Sequence, residues 1–378
     1  MTALTIYADL GGSGSKGIYW NPRQRQPQVI WMEPQVALMN PEHAGLLDAD
    51  GQLGAKEPEQ SAYVQIGADF YAVGTLGRIY QGDSGLVFPK KDNAVVKLIA
   101  MVGTIWEKIV QPYQYQYDVE LDLGVLLPLE EYWRDRVVLE QNIKKALAGC
   151  CFRGKSLAFK VGRISLLPEG AGGYLFHNMS LLSAGRNLKD STVVILMFGH
   201  RNLSVLTFDC GNLPQPTNSA SDGPGYIKYL EQCSSNLPGV SSDNPYLFDA
   251  ILNGESEFRV RGREEVFDLG VVGRIAKQIY LDAVKKFLKT KLPDSARYRL
   301  LVMGGAASGI RPQLEEYFSG LSLIENLDWS CELDEELHQN LHHSDGSSID
   351  SSLERVRLAD GYGAFSWFAA SKPTTQLR

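Results

Sequence analysis

At 378 residues the chain is too long for one ordinary core and is read as two domains. A hydrophobic fraction of 44% with 21% charged residues is that of a soluble folded protein and excludes a disordered one. A net charge of −7 argues against direct, broad electrostatic binding to DNA or RNA. No apolar run reaches the roughly 18 residues of a membrane span, so none is expected. The opening MTALTIYADLGG lacks the basic segment of a signal peptide. The five cysteines (Cys150, Cys151, Cys210, Cys233 and Cys331) form no CxxC pair. They read as reduced core thiols of a cytoplasmic protein, not as disulfides or metal ligands.

Taken in chain order, LTIYADL (Leu4 to Leu10) and GIYW (Gly17 to Trp20) read as two strands joined by a Gly/Ser loop that ends in Lys16. A Walker loop and a dinucleotide-binding GxGxxG both open a helix, whereas GGSGSK runs on as strand to Asn21-Pro22. The element is therefore a hairpin with an anion-sized turn. Residues 33 to 62, rich in Pro, Gly and acids, read as an irregular insertion. Tyr63 to Gly77 gives two short strands with a turn at Gly67 to Asp69. A helix is expected over Ala94 to Val110, with Val95, Leu98, Val102, Ile105 and Ile109 on one face. LDLGVLLPL is a buried strand ending at Pro128, followed by a helix closed by Gly149.

Two strands in SLAFKVGRISLLPEG and a third, Val193 to Phe198, come next. The turn GHRN then leads into LSVLTFDCGN. This second strand–turn–strand repeats the form of the first and suggests an internal duplication. A helix follows DGPG (Tyr226 to Cys233), and a longer one spans about Val272 to Leu292, with Ile275, Ile279, Ala283 and Phe287 on one face. Its basic end, KKFLKTK, reads as a solvated face with cations near a helix C-terminus. The chain closes with YRLLVMGGAASGI, the acidic loop SDGSSIDSS, and LADGYGAFSWFAA, read as a short glycine turn followed by an apolar helix.

Three of these stretches carry chemistry. Backbone N–H groups of a tight Gly/Ser turn can surround phosphate oxygens, and Lys16 adds a point charge. Asp9, at the strand end, is placed to hold a hydrated magnesium. Glu169, in LLPEG just past a buried strand, can orient or deprotonate a water attacking a terminal phosphate. VMGGAASG lets a flat base or ribose approach the backbone. Each also reads as an ordinary turn or helix cap when taken alone. Metal-binding HExxH spacing and a GxSxG nucleophile elbow are both missing from the sequence.

In order and spacing, these pieces resemble the actin–Hsp70–sugar kinase superfamily. Within it the chain is most similar to bacterial actin-like proteins of the ParM/StbA plasmid-segregation type. FYAVGTLG, DNAVVKLIAMVG, LDLGVLLPLEEY and LLPEGAGGYL carry the likeness, which covers about Thr5 to Ala370. The resemblance implies an α/β fold of two related actin-like (ribonuclease H-like) domains flanking a nucleotide cleft. Domain I would comprise 1–188 plus 356–378, with a smaller inserted subdomain at about 33–95, and domain II 189–355. It further implies ATP (or GTP) with magnesium as cofactors, held by Asp9 through water. Polymerisation into a homopolymer filament would be coupled to hydrolysis, and a DNA-bound adaptor protein would attach at filament ends.

Carried onto this chain, Asp9, Gly11, Gly12, Ser13, Gly14, Ser15 and Lys16 correspond to the first phosphate loop. Glu169 corresponds to the catalytic, water-positioning glutamate, and Gly304, Gly305 and Ala306 to the adenosine motif. Asp360 and Gly361 correspond to a connecting segment, and Gly199, His200, Arg201 and Asn202 to the second phosphate loop. That second loop departs from the family pattern Asp-x-Gly-x-x-Thr, because Met197 stands where the aspartate is expected. Asp209, in FDCGN, is the alternative if the register differs. A thioether cannot orient a metal-bound water as a carboxylate does. Hydrolysis is then slow, with filament state set by binding, or Arg201 or His200 compensates as a cation on the γ-phosphate. A sugar-type kinase and a non-hydrolysing nucleotide-dependent scaffold are the rival readings.

Overall fold

The computed structural model describes residues 2–12, 14–49, 57–84, 89–109, 119–157, 159–186, 192–242, 244–252, 254–260, 264–294 and 298–371. Ser13 of the first loop lies outside them. The chain divides into two units, Met1–Met179 with Glu332–Arg378, and Ser180–Cys331.

The first unit begins with the expected hairpin. β1 (Thr2–Gly11) and β2 (Gly14–Asn21) pair antiparallel, from Ile6 opposite Tyr19 to Gly11 opposite Gly14. Leu4, Ile6, Tyr7, Ala8 and Leu10 are all buried, because β1 is central and covered on both faces. β3 (Gln26–Met32) follows the break at Pro22. Residues 33 to 62 correct the expectation of an irregular insertion. They hold β4 (Val36–Met39) and α1 (Pro41–Ala49). β4 is too short and too closely bracketed by prolines to be read locally, and its ladder with Phe70 to Val73 defines it.

Next come β5 (Tyr63–Ile66), β6 (Asp69–Val73), α2 (Thr75–Ile79) and α3 (Lys90–Ile109). α3 is buried along most of its length, as a helix packed between two sheets must be. β7 (Val119–Leu127), α4 (Leu129–Leu147), β8 (Cys150–Phe152), β9 (Lys155–Ser156), β10 (Lys160–Pro168) and α5 (Ala171–Ser183) complete this stretch.

The second unit contains β11 (Thr192–Phe198), β12 (Asn202–Asp209), β13 (Ala220–Pro224), α6 (Ile227–Ser234) and α7 (Pro245–Leu252). It continues with β14 (Glu257–Arg259), β15 (Val266–Asp268), α8 (Leu269–Lys291), β16 (Tyr298–Met303), α9 (Gly305–Ser308), α10 (Arg311–Gly320) and β17 (Leu327–Asp328). α11 (Cys331–Asn340), β18 (His342–His343) and α12 (Ser352–Ala370) close the chain. Among the described residues no helix is long and apolar enough to cross a membrane.

The duplication expected from the two hairpins appears in the topology. The larger sheet of the first unit runs β10-β7-β1-β2-β3-β18, and that of the second β17-β16-β11-β12-β13. In each, a hairpin and a third antiparallel strand lie to one side. A parallel neighbour, β7 or β16, lies on the other. A further sheet of the first unit, β4-β6-β5-β8-β9, packs with the larger one around α3.

Three expectations are corrected. On α8, Ile275 and Ile279 are 57% and 47% exposed, and the buried stripe lies one residue on, at Ala276, Tyr280, Val284 and Leu288. Tyr280 stacks on Tyr229 at 6.1 Å, and this aromatic packing selects the face. The cysteines are not all core thiols, since Cys210 and Cys331 are exposed. Finally, ADGYGA is no turn but the interior of α12. One of its glycines, Gly363, admits a neighbouring backbone. A Cβ on Gly172 of α5 would meet the Asp360 carbonyl at 1.8 Å, and one on Gly363 would meet the Gly172 carbonyl at 2.3 Å.

The two glycines of ADGYGA, two residues apart in α12, therefore separate experimentally. Gly363→Ala forces backbone apart and is expected to lower stability by about 2–3 kcal/mol. Gly361→Ala meets only Ile18 at 3.5 Å, an ordinary contact, and is expected to gain up to about 1 kcal/mol of helix propensity. Urea denaturation of the two variants measures both.

Candidate phosphate-binding site of the first unit

β1, β7 and β10 run parallel, so their carboxyl ends share one edge of the sheet, where open α/β sheets place ligands. Asp9 lies near the end of β1, directly opposite Lys16 in the β2 ladder. The two side chains are close cross-strand neighbours and form an ion pair through Asp9 Oδ2. Lys16 also donates to the Arg357 carbonyl of α12 at 3.2 Å. On the far side of β7 from β1, the chain leaves β10 at Pro168, and the Glu169 amide donates to the Leu127 carbonyl of β7 at 2.7 Å. That bond seats Glu169 on the same edge.

The residue that joins these groups is Lys90, which the sequence reading missed. Its Nζ lies 2.6 Å from Asp9 Oδ1 and 2.7 Å from Glu169 Oε1. Lys90 is the first residue of α3, where the helix dipole disfavours a cation. Glu131 of α4 corrects that imbalance: its two oxygens accept the Lys90 and Lys91 amides at 3.0 and 2.8 Å. The carboxylate caps the helix start from outside and so fixes where the lysine side chain begins. The signal available in the sequence was the lysine pair Lys90-Lys91 opening a helix, against the usual charge preference.

The charges balance locally. Burial alone would raise Asp9, but Lys16 and Lys90 outweigh it and hold the carboxyl well below the usual range. Burial alone would lower Lys90, but Asp9 and Glu169 outweigh it and hold the ammonium above its usual value. For Lys97, two turns further along α3, burial and repulsion from Lys90 outweigh the attraction of Asp83 and Asp9 and push it down to about 8. Removing one partner of a buried pair of this kind leaves a bare charge and costs about 3–5 kcal/mol.

Asp360 serves a different end. It lies in mid-α12, 3% exposed, and accepts the amides of Gly170 at 2.6 Å, Gly172 at 2.8 Å and Gly173 at 3.4 Å. These bonds fix the turn that carries Glu169, in which Gly170 adopts φ +93°. Burial, reinforced by the charges of Asp9 and Glu169, outweighs those bonds and raises the Asp360 carboxyl to about 7. A Cβ on Gly361, its neighbour in the helix, would make only an ordinary contact with Ile18 at 3.5 Å. Gly11 and Gly12 are half-buried at the hairpin turn, while Gly14 and Ser15 open β2 as buried residues. Among the described residues the buried Ser15 hydroxyl has no hydrogen-bond partner.

The second unit carries its own loop pair. Met197 sits opposite Ser204 at the hairpin end of β11, and Gly199 closes the turn by donating to the Asn202 carbonyl at 2.9 Å. Asp209 pairs with Thr192 at the opposite end of the ladder, away from the turn. The Gly199 and His200 carbonyls accept the Tyr226 and Ile227 amides at 3.1 and 2.8 Å, so α6 locks the loop. His200 meets Phe248 edge to face at 5.6 Å, and Arg201 follows it in the same turn. Gly304, at φ +94°, passes so close that a Cβ would meet the Phe198 carbonyl at 2.3 Å. The structure thus brings Gly304, Gly305 and Ala306 beside the Met197–Asn202 turn.

Solved structures share this fold. ParM in a 15-stranded filament from Clostridium botulinum superposes with a TM-score of 0.61 at 15% identity, over 98% of this chain and 100% of that one. The actin-like protein Alp7A gives 0.62 at 13% identity, over 98% and 97%. An archaeal actin homolog in complex with ADP gives 0.57 at 14% identity, over 97% and 100%. No protein-family model matches the chain, and no curated protein matches it in sequence. The fold is that of the ParM-like actin-like proteins.

Asp360 makes a pH prediction. Its folded-state pKa is raised from 3.8 to about 7, so the native state holds the proton more tightly than the unfolded chain. Its contribution to stability is complete below the unfolded value and is lost as pH rises through the folded one. Relative to Asp360→Asn, the wild type is expected to lose stability steadily from about pH 4 to about pH 7, then to hold level. Denaturant midpoints across that range, compared pairwise, give the answer.

Proposed function

We propose that this chain is an actin-like protein that binds ATP (or GTP) and assembles with itself into filaments. The observation that carries the reading is the convergence of Lys16 and Lys90 on Asp9 beside Glu169, at the carboxyl edge of the first unit's sheet. Two ammonium groups and the unpartnered Ser15 hydroxyl, next to a glycine hairpin, suit the β- and γ-phosphates of a nucleotide. The ADP carried by the archaeal actin homolog supports nucleotide as the ligand class.

In this reading the loop from Leu10 to Lys16 cradles the phosphates by backbone N–H groups, and Lys90 adds a second cation. Glu169 orients the attacking water, and Asp360 acts on it as a positioning residue through the Gly170 turn. The turn Gly199–Asn202 serves as second phosphate loop, and Gly304, Gly305 and Ala306 meet the nucleoside. With Met197 in place of a carboxylate, hydrolysis is slow and nucleotide binding sets the assembled state. A role in plasmid or other DNA segregation, in the cytoplasm, follows as the finer proposal. Given the net charge of −7, any link to DNA runs through an adaptor protein. Met197 also favours a second reading, a scaffold that binds nucleotide without turning it over.

High-speed sedimentation with ATP, with ADP and with neither, with phosphate release followed in the same tubes, tests this. ATP-dependent pelleting with slow phosphate release is expected, and pelleting without release selects the scaffold. Soluble protein that phosphorylates a small hydroxyl compound would replace both with the kinase. Lys16→Ala is expected to weaken nucleotide binding by about tenfold or more, the worth of a charge-assisted hydrogen bond.

A further inference from the structure

Magnesium takes oxygen ligands in near-octahedral geometry and gives up its waters reluctantly, so a protein that holds it presents a carboxylate with oxygens to offer. The carboxylates here are committed elsewhere. Both oxygens of Asp9 carry an ammonium group, one from Lys16 and one from Lys90. Lys90 also bonds Glu169 Oε1 at 2.7 Å. Asp360 gives both of its oxygens to backbone amides. In the second unit Met197 offers a thioether, a poor ligand for a hard cation. The residues present therefore do not fit the magnesium that the family resemblance implies.

We infer that Lys90 stands in the place of the divalent cation, so that nucleotide binds without a metal and its terminal phosphate charge is met by Lys16 and Lys90. The inference rests on the nucleotide-binding reading above. Three features of the geometry support it. Lys90 is 8% exposed and is set by the Glu131 cap, so its ammonium is a built element and not a stray surface charge. It touches at once the carboxylate expected to hold the metal and the glutamate expected to direct water, which is where a bridging cation would act. Lys97, buried on the same helix with its Nζ 3.4 Å from the Ser84 carbonyl, adds positive charge behind it. An ammonium donates hydrogen bonds as well as charge, and it serves phosphate oxygens without any water to shed.

The test is equilibrium binding of a fluorescent ATP analogue to the full chain at fixed ionic strength, in excess EDTA and in millimolar magnesium. The two affinities are expected to agree within about threefold. Lys90→Met frees Asp9 Oδ1 and Glu169 Oε1 and is expected to lose about tenfold or more in EDTA and to recover in magnesium, a metal rescue that mere structural damage would not produce. Binding of the wild type only with magnesium overturns the inference and leaves the nucleotide reading intact. Binding under neither condition overturns both. A Lys90→Met protein as tight as the wild type in EDTA also overturns the inference. Should that variant fail to fold by circular dichroism, the wild-type pair of measurements decides alone.

Discussion

Lys90 is held between Asp9 and Glu169, and most of the first unit can be understood as the means of keeping it there. Two carboxylates on one sheet edge repel unless a cation lies between them, and a buried ammonium is unstable unless carboxylates surround it. Each party supplies what the others lack. The arrangement demands precision from distant parts of the chain. β1 brings Asp9, the end of β10 brings Glu169, α3 brings the lysine, and α4 brings the glutamate that lets a lysine start a helix. α12 adds the aspartate that holds the Glu169 turn. Disturbing any one of them exposes the others to an unpaired charge.

The two units show how one plan serves two purposes. Both use a hairpin with a parallel neighbour, and in both a glycine-bearing turn lies at the hairpin end. In the first unit that turn is flanked by charged side chains that neutralise one another. In the second it is braced by backbone bonds from α6 and by the Gly304 loop, with Met197 where a charge would otherwise be expected. Repetition of topology has not carried repetition of chemistry.

Much of this was legible from residue patterns, and the failures are instructive. The hairpins, the strand LDLGVLLPL and the long helices were visible because period and turn residues act locally. Glu169 was visible because PEG marks a strand ending in a turn. β4 was hidden because a four-residue strand is defined by its partner and not by itself. ADGYGA looked like a turn because glycines in a helix are unfavourable in isolation, and only contact with Gly172 explains them. On α8 two apolar stripes competed, and the tyrosine cluster, not periodicity, chose between them. Lys90 was hidden for the same reason: its meaning lies in three residues that come from three other elements.

The bond from Asp360 to the Gly170 turn has a temporal side. A chain leaving the ribosome presents Asp9, Lys90 and Glu169 long before the residue that fixes the glutamate's position, which arrives only with α12. Until then α5 has no partner for Gly172 or for its first amides, and the carboxylate cluster lacks its brace. The site is thus braced only once α12 is in place. A product that stops short of α12 keeps Asp9, Lys16, Lys90 and Glu169 and still lacks the bonds that fix the Glu169 turn.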